Sequence, residues 1–357
     1  MKKLTLITSL LLFLAGCSLQ PIRLIKIESS SIKGRNDIPI LDPNNGPYSI
    51  KSQNHNSNKP FLSWEINESI QQDKPSKTKY QWWYHLIGKF LVTEGRIGKN
   101  WKKYPVILDT GATEEVVVIN DIHVRENKLP VYPLGDNYGG FGMCHLPKLR
   151  IGNTSLQNFR CLYHGTHVDL QLFGITISRD EAIIIGLPAM KKFKYILANG
   201  TKKEVELSLT KTFEPKNPEL WSNFPLKIEL VPEKGSSFLF VTIPIAGQET
   251  ELMVDTGGGN ALLISQSLWK NLSREIEANL KESTTFAPGH KEPLVSSKTD
   301  ILKKIKIGNR TLKKASITVL PDDSSPIKGY KGLLGMPCFK NTIMVLDFER
   351  NLMWVKK

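Results

Sequence analysis

Cysteine is scarce, with four in 357 residues, so cross-links cannot carry this fold. A chain of this length with 40% apolar content can bury two ordinary cores instead. Long apolar runs are equally lacking, and the most apolar stretch, Leu4 to Ala15, is too short to cross a bilayer comfortably. There is no Gly-x-Ser-x-Gly elbow and no convincing Cys–His arrangement, which removes the basis for a nucleophilic serine or cysteine hydrolase. Nucleic-acid-binding motifs and interleaved basic–aromatic segments are absent too. Acidic residues are in deficit, 34 against 48 Lys and Arg, for a net charge of +14. The excess reads as dispersed, solvated surface, with attraction to anionic headgroups or acidic substrates as the alternative.

What is present begins with Lys2 and Lys3 ahead of the apolar run, which ends in Leu14-Ala15-Gly16-Cys17. This resembles the lipobox of bacterial lipoproteins. The resemblance implies a signal peptide over 1–16, lipid attachment at Cys17 and a place in the bacterial cell envelope. Ser18 after the cysteine points to the outer membrane. An ordinary cleaved signal peptide is the competing reading. From 17 to 60 the chain is rich in Asn, Ser, Lys and Pro and reads as a flexible tether. The aromatics Trp64 and Trp82-Trp83-Tyr84 follow and read as core or edge-strand packing.

Three cysteines remain: Cys144, Cys161 and Cys338. Cys144 and Cys161 are the better candidates for a disulfide, and free buried thiols are the other outcome. Cys144-His145 with Cys161-x2-His164-x2-His167 has ligand types and spacings that could also suit zinc.

Beyond residue 60 the sequence repeats itself. A strand-like segment, Leu86 to Thr93, leads to Tyr104-Pro105-Val106-Ile107-Leu108 and then Asp109-Thr110-Gly111-Ala112. In the second half Phe238 to Ile245 leads to Glu251-Leu252-Met253-Val254 and then Asp255-Thr256-Gly257-Gly258. Both read as β-hairpins that deliver a turn. Further on, Leu149-Arg150-Ile151-Gly152-Asn153 matches Ile305-Lys306-Ile307-Gly308-Asn309. Ile183-Ile184-Ile185-Gly186-Leu187-Pro188 matches Gly332-Leu333-Leu334-Gly335-Met336-Pro337, and each copy runs to a closing strand, Lys194 to Leu197 and Thr342 to Phe348. The pattern predicts one helix over Ser265 to Lys281 and short helices after the apolar-Gly markers. A first lobe spans 61–210, a Pro-interrupted connection 211–233, and a second lobe 234–357.

One Asp-Thr-Gly tripeptide is weak evidence, because all three residues favour turns. Two copies at equivalent points of a duplication resemble the retropepsin and pepsin superfamily of aspartic proteases, in combination over Leu86 to Lys357. The resemblance implies an all-β, bilobal acid-protease fold of two retropepsin-like barrel lobes, active as a monomer on peptide or protein substrates. It also implies no cofactor and no metal. Asp109 and Asp255 become the catalytic pair: carboxyls about 3 Å apart cannot both ionise easily, so they share a proton and divide acid and base work. Thr110 and Thr256 would bond across the lobes, and Gly111 and Gly257 would let backbone amides reach the carboxyls. Gly186 and Gly335 would allow close packing behind the loops.

The same resemblance implies a flap, for which Tyr138-Gly139-Gly140-Phe141-Gly142 is suitably placed; a plain hairpin turn is the alternative. Phe286-Ala287-Pro288-Gly289-His290 is less flap-like. Gly258 and Gly259 depart from the family pattern and lend the second loop extra backbone freedom. The competing reading from another class is a catalytically silent bilobal lipoprotein serving as a binding or assembly module.

Overall fold

The computed structural model describes residues 68–79, 91–99, 101–113, 117–133, 141–164, 181–232, 236–286, 294–324 and 327–357, and the backbone of strands at 22–28, 48–51, 61–64, 84–85, 88–89, 166–172 and 175–179. Cys17, Trp82, Trp83 and the flap residues Tyr138, Gly139 and Gly140 lie outside the described residues.

The chain adopts the bilobal all-β acid-protease fold expected from its sequence. In the first lobe, strand Val92–Ile97 turns back into Tyr104–Asp109, and alternating buried positions face inward. Six strands close a barrel in the order Phe141–Ile151, Val92–Ile97, Tyr104–Asp109, Ile183–Gly186, Val117–Asn120 and Thr154–His164, the last returning to the first. The second lobe repeats this order with Leu294–Ile307, Ser236–Ile245, Gln248–Asp255, Gly332–Gly335, Leu262–Ser265 and Arg310–Leu320. In each barrel one short strand runs parallel to the Asp-bearing strand and antiparallel to its other neighbour. Such a strand is covered on both faces, which is why both apolar-Gly markers are continuous apolar runs. Both markers lead into short helices, Leu187–Met190 and the 3-10 turn Met336–Phe339, each with proline in its first turn where its missing N–H costs nothing.

A third layer joins the lobes. The strands Tyr195–Asn199 and Ile343–Asp347 pair antiparallel with each other, Leu197 opposite Val345. Glu204–Ser208 and Ser76–Lys79 extend one side, Leu352–Lys356 and Trp221–Val231 the other. The closing strand of each half is thus the centre of a shared six-stranded sheet. The Pro-rich connection contributes an edge strand whose far end, Leu226 to Val231, enters the second barrel beside Ser236–Val241.

Three expectations need correction. The strand read at Leu86 to Thr93 lies later, at Val92–Ile97, while Tyr84–His85 and Gly88–Lys89 form a separate two-stranded pair. The helix read over Ser265 to Lys281 covers only Gln266–Leu272. Leu268, Leu272 and Ile276 are buried at helical spacing, but the Asn279 amide is held by Asp300 Oδ2 at 2.7 Å and Lys281 already pairs with Thr299. The neighbouring strand therefore captures the chain. The tether is not unstructured throughout: Ile22–Glu28 pairs with Thr166–Leu172, and Tyr48–Lys51 with Phe61–Trp64, as apolar and β-branched residues favour.

Candidate active site

Asp109 and Asp255 each end a barrel strand whose preceding residues, Val106 to Leu108 and Leu252 to Val254, are buried. The apolar run anchors the strand in the core, so the first polar residue after it emerges at the rim. Identical turns follow, closed by the Ala112 amide on the Asp109 carbonyl at 3.3 Å and the Gly258 amide on the Asp255 carbonyl at 3.1 Å. Gly186 stands beside Asp109 and Gly335 beside Asp255 in the parallel strands. A β-carbon on Gly335 would sit 1.9 Å from the Asn260 carbonyl oxygen, so only glycine fits there.

The two loops interlock through their threonines. The Thr110 amide donates to Thr256 Oγ1 at 2.9 Å and the Thr256 amide to Thr110 Oγ1 at 3.0 Å. Each hydroxyl in turn donates to the opposite lobe, Thr110 to the Val254 carbonyl and Thr256 to the Leu108 carbonyl, both at 2.5 Å. Both threonines are fully buried. The amides and hydroxyls of the pair are all satisfied across the lobe interface, and an unpaired one would be costly there.

Above this lock the carboxyls converge. A β-carbon placed on Gly111 would lie 3.0 Å from Oδ1 of both Asp109 and Asp255. One placed on Gly257 would lie 2.4 Å from Asp109 Cγ, so the second lobe's loop backs the first lobe's carboxyl. Asp109 Oδ1 accepts the Gly111 amide at 2.8 Å, and the Ala112 and Gly257 amides also bond to Asp109. Gly257 and Gly258 amides bond to Asp255. The two carboxyls stand close enough to perturb each other's proton affinity, and a shared proton relieves the repulsion of such a pair.

Burial raises both carboxyls above the usual range, Asp255 well above it because the Asp109 charge adds to the effect. At Asp109 the amides and the bond from Asp255 partly offset burial. The arrangement therefore favours charge on Asp109 and the proton on Asp255, although the two titrate as a pair.

Gly258, expected to loosen its loop, is buried, its amide is engaged twice and a β-carbon on it would meet Asp255 Oδ2 at 3.0 Å. It lies where Ala112 lies in the first lobe. Of the flap segment, Phe141 and Gly142 begin strand Phe141–Ile151 opposite His164 and Tyr163. Tyr330 was not singled out from the sequence. Burial and the Asp255 charge raise its hydroxyl, and its ring packs against Phe238 and Phe240 at 5.8 and 6.2 Å. Only its position two residues before the Gly332–Gly335 marker could have drawn attention to it.

Cys144 and Cys161 face each other across adjacent strands as free, buried thiols, and burial pushes the Cys144 thiol up. Cys144 and His145 are consecutive on a strand, so they point to opposite faces and cannot serve one ion together. The side chains of His164 and His167 lie outside the described residues.

Residues 241–341 match the family described as "gag-polyprotein putative aspartyl protease", which supports a peptidase. Among solved structures, an aspartic proteinase from Irpex lacteus is similar, with a TM-score of 0.47 and 11% identity over 80% of this chain and 97% of that one. No curated protein matches the chain.

Proposed function

We propose that the chain is an aspartic endopeptidase whose single site is assembled from both lobes. The observation that carries this reading is the pair of converging carboxyls seated on the interlocked threonines. A structural turn needs neither two converging acids nor a rigid, desolvated floor beneath them.

The reaction needs one group to take a proton from water and another to polarise the scissile carbonyl. Asp109, stabilised as the anion by amides, accepts the water proton. Asp255, kept protonated by burial and by its neighbour's charge, donates to the carbonyl oxygen as the water oxygen attacks carbon. The tetrahedral diol then collapses: the C–N bond breaks, the amine nitrogen gains the proton held by Asp109, one diol hydroxyl returns its proton to Asp255 as the C=O bond re-forms, and an acid and an amine leave with the dyad restored. Water is the only co-reactant. No acyl-enzyme forms, consistent with the lack of a nucleophilic serine or cysteine arrangement.

The test compares wild type, Asp109→Asn and Asp255→Asn on a peptide library from pH 3 to pH 8. Cleavage by wild type in mild acid with loss in both variants is expected. Equal cleavage by all three, or cleavage by none under any condition, would sink the proposal.

The N-terminal motif supports a second, separate proposal: Cys17 is acylated and holds the peptidase to the bacterial envelope. Intact mass of membrane-extracted protein, with and without Cys17→Ser, checks it.

A further inference from the structure

The long hairpin of each lobe provides an internal comparison. Leu294–Ile307 and Arg310–Leu320 in the second lobe correspond to Phe141–Ile151 and Thr154–His164 in the first. Both carry a left-handed residue four positions into the return strand, Asn158 (φ 58°) and Lys314 (φ 56°). Asparagine tolerates that conformation better than lysine. At this kink inside–outside alternation breaks, so consecutive residues Lys303 and Lys304 on one strand and Lys313 and Lys314 on the other are all exposed.

Lys306 is exposed on the same outer surface, and Ile301 beyond it is 59% exposed. Lys304 stands directly opposite Lys313, a placement that repels. Among the described residues none of the five lysines forms an ion pair or side-chain hydrogen bond. In the first lobe the corresponding positions are Pro147, Lys148, Arg150, Gln157 and Asn158, mostly half-buried, and strand Ser69–Gln72 covers the edge of Thr154–Gln157. Among the described residues no strand covers Arg310–Ser316 in that way. The fold position therefore does not itself demand lysine.

We infer that the Lys303, Lys304, Lys306, Lys313 and Lys314 face of this hairpin docks on an anionic phospholipid surface, with Ile301 entering the headgroup layer. Lysine is a compact, mobile point charge, suited to many diffuse headgroups rather than to one forked acceptor. A cluster of four to eight such charges is the size that anionic lipid attracts. The ribbon bears its charge on one outward face and so can present all five together. This binding is independent of peptide cleavage and of any lipid on Cys17.

The test uses the full chain with Cys17→Ser, so that no acyl group contributes. Partition is measured onto vesicles of phosphatidylcholine alone and of phosphatidylcholine with phosphatidylglycerol. Parent protein should bind the mixed vesicles, lose that binding at high salt, and bind the neutral ones far less. Replacing Lys303, Lys304, Lys313 and Lys314 with Gln should weaken partition by a hundredfold or more, at roughly fivefold per lysine. Equal charge removal at Lys191, Lys202, Lys203 and Lys216 should weaken it much less. The inference is overturned if the hairpin variant, melting as the parent does, binds mixed vesicles unchanged, or if both sets of substitutions act equally. It is also overturned if the parent binds soluble polyphosphate but no vesicle. Self-association of the variant with unchanged vesicle binding would identify the lysines as guards of an open sheet edge and overturn it too.

Discussion

Thr110 and Thr256 each donate a backbone N–H to the other's hydroxyl, while each hydroxyl donates to a carbonyl in the opposite lobe. The geometry of the two carboxyls is therefore set by residues that touch no substrate. Thr110→Val keeps the shape but strands the Thr256 amide and the Val254 carbonyl. The expected loss is about 2–6 kcal/mol of stability, from one to three for each unpaired buried group. Thr110→Ser should recover most of it. Urea unfolding of the three proteins checks the order, and Val no less stable than Ser would refute the role of the hydroxyl.

The raised Asp255 carboxyl links the site to pH. Because the folded state holds this proton more tightly than the unfolded chain, its contribution is complete below the unfolded value. It is lost as pH rises through the folded one. At neutral pH the carboxyl therefore burdens the fold. Asp255→Asn should melt higher than wild type at pH 7 by a few degrees, on the order of 1–3 kcal/mol. The gap should close on acidification to pH 4. Melting curves at the two pH values test this, and a gap that widens in acid contradicts the sign.

Both Asp-Thr-Gly turns and the apolar-Gly markers could be read from sequence because each is a short local pattern written twice. Partner choice was not local. Leu197 and Val345 lie far apart in the chain, and nothing in either strand names the other, so the shared sheet emerged only in three dimensions. Helical spacing through Ile276 over-extended the second-lobe helix, since periodicity does not register Asp300 capturing the Asn279 amide. Gly258 misled for a related reason. Glycine frees an isolated chain, but here two hydrogen bonds and its burial restrain it.

That restraint distinguishes neighbouring glycines. A β-carbon on Gly257 would overlap the Asp109 carboxyl at 2.4 Å, whereas on Gly258 it meets Asp255 Oδ2 at 3.0 Å, where Ala112 already carries a methyl in the other lobe. Gly257→Ala should lower kcat/KM by about a hundredfold or more, the scale of an ångström-sized displacement of a reacting group. Gly258→Ala should stay within about tenfold of wild type by the same scale. Steady-state kinetics on one peptide substrate decides, and the reverse ranking would mean that the loops sit differently.

Away from the site, Asp347 ties the end of the chain to the inter-lobe connection. It is fully buried, accepts Arg350 Nε at 2.6 Å, the Arg350 amide at 3.1 Å and Trp354 Nε1 at 3.3 Å. The same guanidinium reaches the Phe213 carbonyl. Phe213 in turn packs edge-on against Trp221 at 5.3 Å and Tyr195 at 5.6 Å. Asp347→Ala would leave Arg350 and the Trp354 indole without their acceptor beneath the sheet that holds the lobes together. Arg350 is 35% exposed and keeps the Phe213 carbonyl, so the loss is that of hydrogen bonds to a charged group, about 1.5–3 kcal/mol. Because that sheet joins strands from both halves, the loss should appear as one cooperative destabilisation rather than unfolding of the second lobe alone. Denaturant curves followed by tryptophan fluorescence and far-ultraviolet circular dichroism should therefore shift together, and a split between the two signals would show that the lobes unfold independently.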